Sequence, residues 1–191
     1  MQKGTKKIII GLVGEMGSGK DTAADYLENK YGAHLFRFSD PLREALEVFL
    51  PKEEVGREDM IWLSNNIRRK YKNGVISDSL RRKFDRVNEG IIVLNGMRIK
   101  EDFEFVKSFP NSHVIYVTLD SKARWERIYD RGEKSDDAVS FEKFQEYEKA
   151  ETEVQIPEIG KKTDFRLENN GSKDDLRLKI SEIMGQIRNE A

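Results

Sequence analysis

"GLVGEMGSGKDTAADYL", residues 11–27, decides how the rest of the chain is read. It closes a run of β-branched residues and opens a helix. Lys7 to Val13 (KIIIGLV) reads as a buried strand, and Asp21 to Lys30 as a helix with Ala23, Ala24, Leu27 and Tyr31 on one side. Between them, Gly14-Glu15-Met16-Gly17-Ser18-Gly19-Lys20 fits the GxxxxGK pattern of a phosphate-binding loop, in the strand-to-helix context that the pattern requires. Glycines let backbone N–H groups turn inward around an anion. The helix N-terminus adds partial positive charge, and Lys20 adds a full one. The competing reading, a glycine-rich turn feeding a helix, explains neither the lysine nor the spacing.

The residue after that lysine usually donates a hydroxyl to Mg²⁺. Here it is Asp21, followed by Thr22. Adjacent helix residues point in different directions, so Thr22 does not simply take over the role. It can offer its hydroxyl to a phosphate deeper in the loop. Asp21 has two readings. It binds Mg²⁺ directly or through a water, since that ion favours oxygen ligands and keeps waters; or it is a helix-start residue favoured by the dipole.

The bulk numbers narrow the alternatives. A length of 191 residues suits one domain with a small insert. Lysine and arginine number 34 against 35 acidic residues, a net charge of −1, which argues against a dedicated nucleic-acid binder. There is no cysteine and only His34 and His113, so disulfides, thiolate metal sites and histidine-rich metal sites are excluded. Both histidines read as structural. The short apolar run after MQKGTKK does not read as a signal peptide, and no stretch approaches a membrane span. The expectation is a cytoplasmic protein, monomer or homodimer, with no nucleic-acid or membrane partner.

Apolar runs alternate with helical stretches along the chain. Further strands are expected at His34 to Phe38, Ile91 to Leu94, Val114 to Leu119 and Asp164 to Leu167. Helices are expected at Pro41 to Leu50, Arg57 to Tyr71, Ser77 to Val87, Lys100 to Lys107, Lys122 to Arg131, Phe141 to Ala150 and Ser172 to Arg188. Strands separated by helices predict an α/β fold with a mainly parallel sheet. Residues 51–88 read as a helical insert, a second lobe over a cleft, between a core of 1–50 and 89–191.

"GSGKDTAADYL" followed by "FRFSDPLREAL" resembles the P-loop nucleoside-monophosphate-kinase-like enzymes, nearest to their deoxynucleoside monophosphate kinase and dephospho-CoA-kinase-like branch, where GKD replaces GKS in some members. The likeness continues through "GREDMIWLSNNIRRKY", "IIVLNGMRIKEDFEFV", "RWERIYDRGEKSDD" and "TDFRLENNGSKDDL", so it spans almost the whole chain. It implies a three-layer α/β/α core around a five-stranded parallel sheet. It also implies a substrate-binding insert, an arginine-bearing lid at about 122–140, ATP and Mg²⁺ as cofactors, and a small-molecule nucleotide acceptor.

The residues carry this reading to different degrees. Asp40 closes the second strand in "RFSD". The resemblance puts an acidic group here near the transferred phosphate, assisting the acceptor or ordering Mg²⁺ with Asp21; otherwise Ser39 or Asp40 caps the Pro41 helix. Arg98, in "NGMR", suits a bidentate phosphate grip or else a surface ion pair with Glu101 or Asp102. Look-alikes often have an acidic residue where this chain has Asn95, which shifts metal handling to Asp40 and Asp21. Arg124, Arg127 and Arg131 share one helix side, and arginines brought by a lid stabilise the charge spread over a transferring phosphoryl group. The interleaved Glu126 and Asp130 fit a solvated helix equally. Gly132 and the polar stretch to Asp137 read as mobile.

The resemblance assigns acceptor binding to the insert, where Arg57, Arg68 and Arg69 lie. Trp62 and Tyr71 read as core packing before base contacts. Asn169-Asn170-Gly171 reads as an adenine-side loop, with Asn170 on the nucleotide, or as a turn before a capped helix. The leading expectation is an enzyme that moves the ATP γ-phosphoryl to a (deoxy)nucleoside monophosphate. Dephospho-CoA kinase is the rival, and a nucleotide-binding module that hydrolyses slowly is the alternative of another class.

Overall fold

A computed structural model describes residues 7–131 and 139–190. Five strands form one wholly parallel sheet: β1 (Ile8–Val13), β2 (His34–Arg37), β3 (Ile91–Met97), β4 (Ser112–Thr118) and β5 (Phe165–Glu168). Their order across the sheet is β2-β3-β1-β4-β5. The glycine-loop strand is therefore central. Parallel strands need crossovers, and helices supply them on both faces.

Alternation along β1 divides the core. Ile10 and Leu12 pack with Ala23, Ala24 and Leu27 of α1 (Lys20–Tyr31) and with Leu176, Ile180 and Met184 of α9 (Lys173–Glu190). Ile9 and Val13 face the other layer, with Leu42 of α2 (Asp40–Glu47), Leu80 and Phe84 of α4 (Val75–Phe84) and Val106 of α5 (Lys100–Lys107). Fully burying such an aliphatic side chain is worth roughly 1.5–3 kcal/mol, which fixes the strand's register between the layers. The fold is thus the three-layer α/β/α architecture expected from the sequence.

Several boundaries move. β3 runs on to Met97, three residues past the apolar run, because Asn95 stays in register with Leu12. Val13 then pairs with Met97, and Gly96 is an extra residue at φ +88°. Such a bulge bends a strand end and re-aims its side chains. α2 ends at Glu47, before the Leu50–Pro51 step, where proline disfavours helix in the residue ahead of it. A short helix, α8 (Ile156–Gly160), has too few residues for periodicity to signal it.

The insert holds α3 (Arg57–Lys70) and α4. Ile76, Leu80 and Phe84 of α4 belong to the sheet core, whereas Ser64 is the sole buried residue of α3. Trp62 and Tyr71 are 63% and 66% exposed, so the expectation of core packing for both is corrected. After β4 come α6 (Ser121–Arg131) and α7 (Phe141–Glu148). The expected mobile stretch from Gly132 to Asp137 and the side chain of Arg131 lie outside the described residues. Among the described residues no helix is long and apolar enough to cross a membrane.

Candidate functional site: a phosphate loop with a charged rim

β1 leads directly into the loop, and the loop tolerates side chains poorly. A Cβ on Gly14 would lie 2.3 Å from the Val117 carbonyl oxygen and 2.6 Å from Ser18 Oγ. Gly17 and Gly19 adopt φ +78° and +95°, the left-handed region that costs other residues energy. A Cβ on Gly19 would stand 2.3 Å from Asn169 Nδ2. The Ser18 N–H donates to the Glu15 carbonyl at 3.2 Å, which tightens the turn before α1.

Two side chains brace this turn from outside. Asn169, buried just after β5, donates from Nδ2 to the Ser18 carbonyl at 2.8 Å, and its backbone N–H donates to Thr118 O. Arg124, 5% exposed, donates from Nη1 to Met16 O at 3.2 Å and from Nε to Leu119 O at 2.8 Å. It also pairs with Glu148 at 2.6 Å. Its task is to hold the loop.

Lys20 is 8% exposed, and burial depresses its pKa below 10.5. Nearby Asp21 and Glu153 oppose that shift, and Arg98 adds to it. Lys20 Nζ lies 3.5 Å from Asp21. Asp21 Oδ1 accepts from Asn95 Nδ2 at 2.7 Å. Four buried side-chain polar atoms lack a hydrogen-bond partner among the described residues, and three of them, Glu15 Oε2, Ser18 Oγ and Asn95 Oδ1, sit in the loop or beside it. Leaving such a group unsatisfied costs about 1–3 kcal/mol. Three such groups therefore gather at the loop.

The charged rim is paired. Arg98 Nη1 contacts Glu153 Oε1, on the turn between α7 and α8, and not Glu101 or Asp102. Only its backbone N–H reaches Asp102. Glu15 accepts from Tyr116 O–H, a phenol that burial, then Glu15, pushes up to about 12, so it remains the donor. Glu15, Met16, Arg124, Tyr147, Glu148 and Glu153 line most of a cavity of about 200 Å³ against the loop. Arg57 stacks its guanidinium 5.6 Å from the Tyr147 ring, facing this wall from the insert.

Other expected residues are placed differently. Arg68 lies in a buried pair with Asp102 at 3.3 Å and donates to Asn73 O at 2.6 Å. Asp102 also accepts from Ser77, and burial raises its pKa while Arg68 opposes the rise. Arg68 therefore fastens α3 to α5. Asp40 accepts the Arg37 N–H at 2.8 Å and closes the β2–α2 turn; the structure pairs Asp21 with Asn95, not with Asp40. Thr22 lines a groove between α1 and α9 with Tyr26, Lys173 and Arg177. Arg127 donates to Gly171 O at 3.2 Å, on the β5–α9 turn. Asn170 is exposed, and its neighbour Asn169 makes the loop contact.

Sequence reading missed Glu15, Tyr116 and Glu153 as site residues, gave Asn169 only as part of an adenine-side loop, and counted Asn95 as a loss. Asn169 was within reach, because residues just after a parallel strand gather at the ligand-binding edge. Glu153 had no signal, being one carboxylate in a charge-rich segment.

Among the described residues, no group of three or more His, Cys, Asp or Glu is placed to hold a metal by itself. That suits Mg²⁺ bound jointly with nucleotide phosphates, which needs one or two carboxylates and keeps waters. Asp21, with the orphaned Asn95 oxygen beside it, fits that requirement.

A model described as an AAA domain matches residues 10–153. A UPF0200 protein of Sulfurisphaera tokodaii is 30% identical over 179 residues, covering 94% of this chain and 97% of that protein. TT1252 from Thermus thermophilus has a TM-score of 0.66 at 23% identity, covering 95% of this chain and 98% of its own. Shikimate kinase from Acinetobacter baumannii, solved with shikimate, has a TM-score of 0.59 at 18% identity, covering 94% and 93%. The chain therefore belongs to the AAA domain family and to the UPF0200 proteins, and it has a P-loop kinase-like fold.

Proposed function

We propose that the protein is an ATP- and Mg²⁺-dependent phosphotransferase that moves the γ-phosphoryl group to a nucleotide-type small molecule, first among candidates a (deoxy)nucleoside monophosphate. The observation that carries this is the loop itself. Side chains are excluded at Gly14, Gly17 and Gly19, and Lys20 stands buried at the end of the loop, its pKa depressed by that burial. Phosphoryl transfer asks a protein mostly for positioning and charge.

In this reading the amides of residues 14–20 and Lys20 hold the β- and γ-phosphates. Mg²⁺ would supply positive charge to offset the phosphates. Asp21 and Asn95 form its protein side. Arg127, against Gly171, borders the base side of the nucleotide. Arg98 and Arg57 flank the acceptor cavity, and Asp40 serves the acceptor's proton. Arg131 and the lid at about 122–140 close over the transferring group and exclude water.

One observation favours the dephospho-CoA-kinase-like reading, in which the acceptor is a hydroxyl. Arg68 is committed to Asp102 and Arg98 to Glu153, which leaves fewer unengaged cations for an acceptor phosphate. Asp40 would then be the general base, and Asp40→Asn would nearly abolish turnover; a monophosphate acceptor predicts a milder loss.

A coupled assay for ADP with nucleoside monophosphates, their deoxy forms and dephospho-CoA tests the proposal. ADP formation that requires one of these acceptors supports it. Acceptor-independent hydrolysis across the whole panel sinks it in favour of a nucleotide-binding module.

A further inference from the structure

Asn95 is 2% exposed at the end of β3. The Gly96 bulge keeps it opposite Leu12, just ahead of the phosphate loop. Its Nδ2 donates to Asp21 Oδ1 at 2.7 Å. An ionised carboxylate only accepts, so the amide nitrogen must face Asp21, and the amide oxygen must face elsewhere. That oxygen is buried and has no hydrogen-bond partner among the described residues.

P-loop NTPases in general place a hydroxyl after the loop lysine and a carboxylate on a nearby strand, and the two hold the magnesium between them. This chain has the carboxylate in the loop position and a neutral amide on the strand. We infer that the pair is transposed. Asp21 supplies the charged oxygen toward the divalent cation of a bound nucleotide. Asn95 is a positioning residue: its Nδ2 fixes Asp21, and its Oδ1 accepts a proton from the cation's hydration water. The inference rests on the nucleotide-binding reading above and names the pair that handles its metal.

The charges balance in both states. In the empty loop Lys20 is the counter-ion of Asp21, 3.5 Å away. A phosphate group then takes over Lys20, and a cation takes over Asp21, so neither charge is left uncompensated. An aspartate in place of Asn95 would set two carboxylates at hydrogen-bond distance, where one must stay protonated. The chain avoids that by keeping a single charge. Asp40, already accepting the Arg37 N–H, is not needed in this pair.

The test uses the full chain and Mn²⁺ as probe, with free Mn²⁺ counted by electron paramagnetic resonance at saturating ADP. Removing a residue that orders a metal typically weakens binding 10–100-fold, so Asp21→Ser should lower Mn²⁺ affinity by about tenfold or more. The double variant Asp21→Ser with Asn95→Asp restores the usual arrangement and should recover most of that loss. Binding of ADP in EDTA reports whether each variant keeps a folded loop, and the isosteric Asp21→Asn replaces Asp21→Ser if it does not. Unchanged Mn²⁺ affinity in the single variant, or a double variant as weak as the single, overturns the transposition. If the unaltered chain binds no ADP at all, the nucleotide reading falls and takes this inference with it.

Discussion

The phosphate loop and the charge-paired flank of this molecule are built on different principles. On the loop side, backbone geometry decides. Gly14, Gly17 and Gly19 are required because a Cβ would collide or be strained, and Ser18, Asn169 and Arg124 lock the turn by main-chain hydrogen bonds. On the charge-paired flank, ion pairs decide. Arg68 meets Asp102 and Arg98 meets Glu153 across 34 and 55 residues of sequence. A motif can encode the first kind of site because its spacing is local. It cannot encode the second, since each arginine's partner depends on tertiary packing.

The largest effect expected is on the loop. Lys20→Ala should reduce turnover by roughly two to three orders of magnitude, the loss typical of one preorganised charge-stabilising group, with little change in unfolding midpoint. Gly14→Ala should both destabilise the fold by about 1–3 kcal/mol and abolish nucleotide binding, because Val117 O is backbone and cannot move aside. Denaturant unfolding and a nucleotide titration read the two separately. A well-bound nucleotide in Gly14→Ala would break the claim that backbone sterics shape this site.

Arg68→Ala should act in the opposite sense. It strands a buried Asp102 carboxylate, and breaking a buried pair costs about 3–5 kcal/mol, so stability should fall sharply. If stability holds while acceptor KM rises, Arg68 belongs to the acceptor after all, and the division between the two sides blurs.

A smaller effect concerns pH. Burial lowers the Lys20 pKa below its ordinary 10.5, so without a bound anion the amine loses its proton at a lower pH than an exposed lysine does. Phosphate binding favours the charged form. ADP affinity should therefore be full below the depressed pKa and decline as pH rises through it, before the ordinary value of 10.5. Isothermal titration across alkaline pH, with Lys20→Arg as a control that stays charged, follows this decline. A decline of the same shape in the arginine variant would assign it to another group.

The smallest effect is at the rim. Glu153→Gln removes the charge that holds Arg98 and should tighten an anionic acceptor by about 1 kcal/mol, the scale of one charge-assisted hydrogen bond made available. The KM for the acceptor is the readout. An increase would mean that Glu153 orients Arg98 and does not compete for it.

How much the sequence reveals follows the same divide. The parallel sheet and the GxxxxGK loop are legible, because strand runs and glycine spacing act through neighbours. Asn95 was visible but misread: a polar residue at a strand end looks like the end of the strand, and only the register with Leu12 shows it reaching Asp21. Trp62 and Tyr71, exposed on α3, show that helical spacing of aromatics does not by itself bury them. Arg124 is spent on tertiary contacts that its helix spacing does not reveal: the carbonyls of Met16 and Leu119 and the carboxylate of Glu148.

The central claim is transfer of a phosphoryl group to a small acceptor. Phosphorus NMR of the protein with Mg²⁺-ATP and each candidate acceptor tests it most directly. The account predicts that one acceptor gains a phosphoryl resonance in step with ADP, and that Lys20→Ala abolishes both. Inorganic phosphate appearing in place of a phosphorylated acceptor, with every candidate, would contradict it.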